Sequence, residues 1–112
     1  MKKEFRVRKN EDFSRIIKKK QSMANRSFII YYLKNDLDHA RIGISVSKKL
    51  GKAVIRNKIK RQVRMMLQQT INFDDNYDYI VISRNKYLDL DFNSNLNELK
   101  YLYKKILKRM EK

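Results

Sequence analysis

Arg41-Ile42-Gly43-Ile44-Ser45-Val46-Ser47, followed by residues 52–71 and then by Tyr77-Asp78-Tyr79-Ile80-Val81-Ile82-Ser83, is the stretch from which the fold is read. The first segment alternates strictly, so one face of a strand carries Ile42, Ile44 and Val46 while Gly43, Ser45 and Ser47 lie on the other. Residues 52–71 change period. At about 100° per residue, Ile55, Ile59, Val63, Met66 and Thr70 share one arc and Arg56, Asn57, Lys60, Arg61 and Arg64 the adjoining one. Residues 77–83 return to a strand, which completes a βαβ unit. Working outward, Asn10 reads as a helix cap followed by Glu11 and Asp12, with Phe13, Ile16 and Ile17 on one face and Lys18 to Lys20 at the end. Ser27 to Leu33 is β-rich, and the polar turn Asn35 to His39 predicts that it forms a hairpin with residues 41–47. Lys20 to Met23 adds a short edge strand, and Leu96, Leu99, Tyr103, Ile106 and Met110 mark a C-terminal helix. The expectation is an α+β sandwich of a small mixed β-sheet and three helices, in the order α-β-β-β-α-β-α, as one domain over residues 1–112.

The charge pattern adds a partner, a polyanion with nucleic acid as the first candidate, which makes this a nucleic-acid-binding, and with the resemblance given below an RNA-binding, domain. The chain carries 28 Lys+Arg against 12 Asp+Glu, a formal charge of +16 that opposes compaction unless a polyanion meets it. Between His39 and Phe73 there are nine basic residues and no acidic one, so neutralisation there is expected from outside the chain. Lys52, Arg56, Lys60 and Arg64 follow one another at i,i+4, and each such like-charge pair costs about 0.2–0.5 kcal/mol in the free protein. Bound phosphates would reverse that sign. Asn57, set among the arginines, can both donate and accept toward a base edge or a 2′-hydroxyl. The ordinary alternative for both features is a solvated helix surface. The acidic residues gather at 36–38, 74–78 and 89–91, which read as loops.

Several chemistries are disfavoured. With no cysteine there is no disulfide framework and no thiolate site. His39 is the only histidine, which leaves no pair for an acid–base relay. Asp36 and Asp38, or Asp89 and Asp91, could offer oxygens to Mg²⁺, but such spacing is ordinary in turns. Gly51-Lys52-Ala53 lacks the upstream glycine and the Ser/Thr of a nucleotide-binding loop. The longest apolar run, Phe28 to Leu33, is far below the roughly 20 residues of a bilayer span, and no secretory leader is read at the N-terminus, so the expected location is cytoplasmic.

Gly43-Ile44-Ser45-Val46-Ser47-Lys48-Lys49-Leu50-Gly51-Lys52-Ala53-Val54-Ile55-Arg56-Asn57-Lys58-Ile59-Lys60-Arg61-Gln62-Val63-Arg64 resembles the signature of the protein subunits of bacterial ribonuclease P, in which a strand passes through a Lys-Lys-x-Gly turn into a helix bearing Arg-Asn-Arg. Asn10-Glu11-Asp12-Phe13, Asn25-Arg26-x-Phe28 and Asp78-Tyr79-Ile80-Val81-Ile82 extend the resemblance over essentially the whole chain. Lys58 stands where the second Arg of the motif is usual, keeping the charge without the planar fork, and Met65 stands where the family often has a polar residue. The resemblance implies a left-handed βαβ crossover, which periodicity alone would not suggest. It implies a function too: binding a catalytic RNA and the 5′ leader of precursor tRNA, with hydrolysis of one phosphodiester bond carried out by the RNA and its Mg²⁺ ions. No catalytic residue, dedicated protein metal site, membrane contact or obligate protein partner is then expected in this chain. Carried over position by position, Lys48, Lys49, Lys52, Arg56, Asn57, Lys58, Lys60, Arg61 and Arg64 would face the RNA subunit. Phe13, Ile17, Asn25, Arg26, Ile29 and Tyr31 would meet the single-stranded leader. For Phe13 and Ile17 core packing is the competing reading, and Ile16 and Phe28 read as core. Two other functions fit the charge: a structural RNA-binding protein of the ribosomal kind, and a small basic ribonuclease that acts alone.

Overall fold

The computed structural model describes residues 1–110. Three helices, α1 (Asn10–Lys18), α2 (Ala53–Gln68) and α3 (Phe92–Met110), pack on a sheet of β1 (Ser22–Ala24), β2 (Phe28–Lys34), β3 (Arg41–Val46) and β4 (Tyr77–Ser83). The element order matches the expectation. The strand order is β1-β2-β4-β3, with β4 antiparallel to β2 and parallel to β3.

The expected hairpin between residues 27–33 and 41–47 therefore does not form. β2 instead makes its hairpin with the edge strand β1, where Ser22 faces Tyr31, and β4 is inserted between β2 and β3. Burial explains the choice: Asp78 through Val81 are all buried, so β4 belongs in the middle of the sheet, whereas β3 has one polar face and tolerates the edge. The N-terminal segment continues the sheet past β3, because Arg6 bridges Ile42 in parallel and the Val7 N–H donates to the Ile42 carbonyl at 3.0 Å.

The two faces of the sheet are covered unequally. Phe28, Ile30, Tyr32, Ile42, Tyr79 and Val81 meet Ile59, Val63, Met66 and Leu67 of α2 and Leu99, Leu102, Tyr103 and Ile106 of α3 in the main core. On the other face a small cluster of Val7, Ile16 and Ile80 is flanked by Phe13, Tyr31, Leu33 and Ile82, which stay only partly buried. Ile16 and Phe28 are core, as read from sequence.

Helix ends differ from the sequence reading in detail. Lys9, not Asn10, is the N-cap of α1, without a side-chain cap bond, and Lys20 ends the helix region in the left-handed conformation at φ 57°. α2 stops at Gln68, so Thr70 lies beyond it, and Ile55 at the other end is 42% exposed instead of docked. Asp91 caps α3 by accepting the Ser94 N–H at 2.8 Å, which holds its carboxyl below the usual range.

Candidate nucleic-acid interface

The turn into α2 is built by short-range geometry. Ser47 Oγ accepts from the Lys49 N–H at 3.2 Å, Leu50 is buried, and Gly51 takes φ 143°, a conformation L side chains rarely adopt. The Arg56 Nε–H then reaches back to the Gly51 carbonyl at 3.2 Å. Arg56 is thus half-buried and serves the turn as well as any partner.

Beyond it, Lys52, Asn57, Lys58 and Arg61 are exposed, while Lys60 and Arg64 are half-buried. Lys60 and Arg64 line a cleft with Arg6, Ile42 and Ile44, keeping their stems on apolar surface in the manner of amphipathic side chains. Lys58 sits on the opposite flank, beside Leu88 and Asp91. Lys48 and Lys49 occupy the exposed turn before the helix. Among the described residues no carboxylate lies within 4.0 Å of any of these cations. One end of the basic run is different. Arg41 is neutralised inside the protein, donating from Nε to Asp78 Oδ1 at 3.0 Å and from Nη2 to Oδ2 at 2.6 Å. That corrects both the expectation of external neutralisation at Arg41 and the placing of Asp78 in a loop.

Asp78 is wholly buried in β4 and also accepts from Asn35 Nδ2 at 2.8 Å and, at 3.5 Å, from Arg15 of α1. The bidentate hydrogen bond to Asp78 raises the Arg41 pKa above the usual arginine value, against the desolvation that lowers it. The network fastens α1 to the sheet. It also saturates the one buried carboxylate among the described residues, which leaves Asp78 unfit to ligate Mg²⁺.

The second surface is the half-covered sheet face. Strand register places Tyr31 beside Ile80 and Ser22, and Ile29 beside Ile82 and Ala24. Gly43 and Ser45 of β3 continue these two rows. Gly43 lets α1 approach: a Cβ there would lie 2.6 Å from Phe13 Cζ and 2.8 Å from Ile80 Cδ1. Phe13 is half-buried on that glycine, and Ile17 is 36% exposed. Phe13 and Tyr31 flank the same small cluster, Ile29 lies in the next row and Ile17 is exposed on α1; this half-covered strip of sheet beside α1 is the trough.

Asn25 and Arg26 are not part of it. Asn25 Oδ1 accepts the Ser27 and Phe28 N–H groups at 3.1 and 3.0 Å, and its Nδ2 donates to the Glu98 carbonyl of α3 at 2.8 Å. Arg26 pairs with the Glu98 carboxylate at 3.0 Å. Both side chains brace the turn before β2 against α3, in the layer opposite α1. Three residues that sequence reasoning passed over, Asp78, Asn35 and Arg6, prove to organise the interface. Only Asp78 left a sequence signal, an acid opening an apolar strand.

Comparison with known proteins decides what this arrangement belongs to. The family model for Ribonuclease P matches residues 1–107. The chain belongs to the ribonuclease P protein family. The "Ribonuclease P protein component" of Mesoplasma florum is 47% identical over 104 residues, covering 91% of this chain and 94% of that protein. The one from Bacillus pumilus is 46% identical over 107 residues, covering 94% and 90%. Among solved structures, a Staphylococcus aureus RNase P protein mutant with defective mRNA degradation activity superposes with a TM-score of 0.86 at 46% identity, covering 95% of this chain and 90% of that one. The RNase P protein from Thermotoga maritima in complex with 1-(4-fluorophenyl)-2-thiourea gives 0.77 at 36% identity, with 87% and 95% covered. Membership makes the chain a protein component of the endoribonuclease ribonuclease P, an RNA-binding, tRNA-processing ribonucleoprotein in which the protein works with an RNA subunit. Among the described residues no helix is long and apolar enough to cross a membrane.

Proposed function

We propose that the two surfaces divide the labour of ribonuclease P: the cationic arc of α2, with the Lys48-Lys49 turn, takes the backbone of the RNA subunit, and the trough beside α1 takes the 5′ leader of precursor tRNA. The observation that carries this reading is the half-open sheet face, where Tyr31 and Ile82 stay only partly buried with Phe13, and Ile29 likewise in the row beside them, although apolar enough to have been buried. Such a surface suits unstacked bases, and base–aromatic stacking contributes about 1–3 kcal/mol per base.

With one histidine in the sequence, the chain offers no histidine pair for an acid–base relay. Its role is to hold and orient RNA, and Mg²⁺ belongs with the RNA, since the buried carboxylate here is occupied by Arg41, Arg15 and Asn35. The chemistry the ion supplies when bound is activation of water and stabilisation of the leaving oxygen in phosphodiester hydrolysis. Scission of the leader would leave the mature tRNA 5′ end, in the cytoplasm where precursor tRNA is made.

The test is reconstitution. The chain, the RNA subunit from the same genome and both together are incubated with precursor tRNA and Mg²⁺. Leader release is expected to be strongest with both together. Cleavage of RNA by the protein alone would instead favour the lone-ribonuclease reading, for which the name of the Staphylococcus aureus mutant is the one supporting observation.

A further inference from the structure

A second charged feature lies outside both surfaces. A groove of about 580 Å³ opens where the N-terminal segment pairs with β3, beside the start of α1, with Lys3, Arg6, Arg8, Lys9 and Arg41 in its walls. Its acidic wall residues are Glu4 and Asp12, and Asp12 is paired with Arg15 and Arg41 at 3.5 and 3.6 Å. Among the described residues Lys3, Arg6, Arg8 and Lys9 have no carboxylate within 4.0 Å. Arg8 and Lys9 sit where a helix favours anions, immediately before the first turn of α1, so their own charge opposes the helix dipole.

The groove is built, not incidental. Val7 is buried and hydrogen-bonded to β3, and Phe5 is held edge-on between the rings of His39 and Phe73 at 5.2 Å from each. These anchors fix the backbone that carries the cations. Arg6 lines this groove and also the cleft that holds Lys60 and Arg64 of α2. Arg6 thereby links the cationic face of α2 to the groove at the N-terminus of α1.

We propose that this edge groove binds a run of RNA phosphates, extending the α2 surface toward the leader trough. The inference rests on the reading of α2 as an RNA-binding face. The ligand chemistry is the phosphodiester backbone, supplied either by the RNA subunit or by the tRNA.

Salt dependence of affinity tests it, because removing one cation that neutralises a phosphate lowers the magnitude of the slope of log affinity against log salt by about 0.7–0.9. The full chain, the Arg8→Ala/Lys9→Ala variant and a control, Arg61→Ala on α2, are titrated with the RNA subunit and, once assembled, with mature tRNA. Arg8 and Lys9 are exposed, so melting temperature is expected to hold. Arg8→Gln/Lys9→Gln, which keeps the stems, repeats the measurement. The double variant is expected to lose about 1.4–1.8 from the slope, so that raising salt from about 50 to 200 mM weakens it about 7–12-fold less than the parent. A change seen with the RNA subunit assigns the groove to that partner; a change seen only with tRNA assigns it to the substrate. Unchanged slopes for both RNAs, with Arg61→Ala altering its own, overturn the groove and leave α2 standing. A parent chain whose RNA affinity ignores salt overturns both.

Discussion

Replacing Asp78 by alanine is expected to cost about 3–5 kcal/mol, because it leaves the part-buried Arg41 guanidinium and the buried Asn35 amide without the carboxylate they share. The Arg41 side chain keeps only 20% of its exposure, and its two strongest bonds, at 3.0 and 2.6 Å, both end on Asp78. Asp12, at 3.6 Å, is too distant and too solvated to take over. Arg15 adds little to the loss, being 46% exposed and 3.5 Å away, and Asn35 retains the His39 carbonyl at 3.2 Å. Against the 5–15 kcal/mol typical of a domain, roughly a fifth or more of the stability would go. Urea unfolding measures it through the midpoint at constant slope. A cycle with Arg41→Ala separates the pair from its surroundings: the double variant is expected to be closer to the parent than the sum of the single losses. Asp78→Ala within about 1 kcal/mol of the parent, or strict additivity, would refute the assignment of Asp78 as the anchor of α1 and β3.

Gly43→Ala is expected to cost about 1–3 kcal/mol by forcing its methyl against Phe13 and Ile80, and to weaken precursor tRNA binding by lifting α1; unfolding and tRNA titrations on the same sample check both. Arg61→Ala is expected to leave stability within about 0.5 kcal/mol while weakening assembly with the RNA subunit, whereas Arg56→Ala also releases the Gly51 turn and lowers the melting temperature. Burial raises the phenols of Tyr79, Tyr103 and Tyr87, the last to about 12 from 10.0, so the unfolded chain loses those protons first. Stability is then full below pH 10 and falls as pH rises toward 12, and the urea midpoint is expected to drop between pH 8 and pH 11. Tyr79→Phe removes a buried hydroxyl that lacks a partner, so it is expected to be neutral or stabilising at pH 8 and to lessen the alkaline loss.

What the sequence disclosed and what it withheld divide along sequence distance. The cationic face of α2 was legible because i,i+4 spacing is local and the Lys48–Gly51 turn adjoins it. The pairing of β2 was not, since the polar turn Asn35 to His39 serves a hairpin and a strand-skipping connection equally well; the burial of Asp78 through Val81 on both faces of β4 decides between them. Arg41 and Asp78 stand 37 positions apart, so a basic run seemed unpaired although its first member is neutralised by the sheet. Asn25 and Arg26 face α3 because of a partner at Glu98 that no nearby pattern announces. The first 26 residues carry ten cations against three acids, a surplus without local pattern, and the bridge from Arg6 to Ile42 is what gathers part of it into the edge groove.

The division of labour between α2 and the trough is tested most directly by Tyr31, which is half-buried, stands on the open sheet face and lies outside the Asp78 network. Affinities of the assembled enzyme for precursor and mature tRNA are measured with the parent chain and with Tyr31→Ala, and melting curves confirm that both are folded. The expected result is a loss of about 1–3 kcal/mol, or about 5–150-fold, on precursor tRNA alone, the stacking of one leader base. Equal weakening on both tRNAs, or no weakening on either, would contradict a leader path along this face.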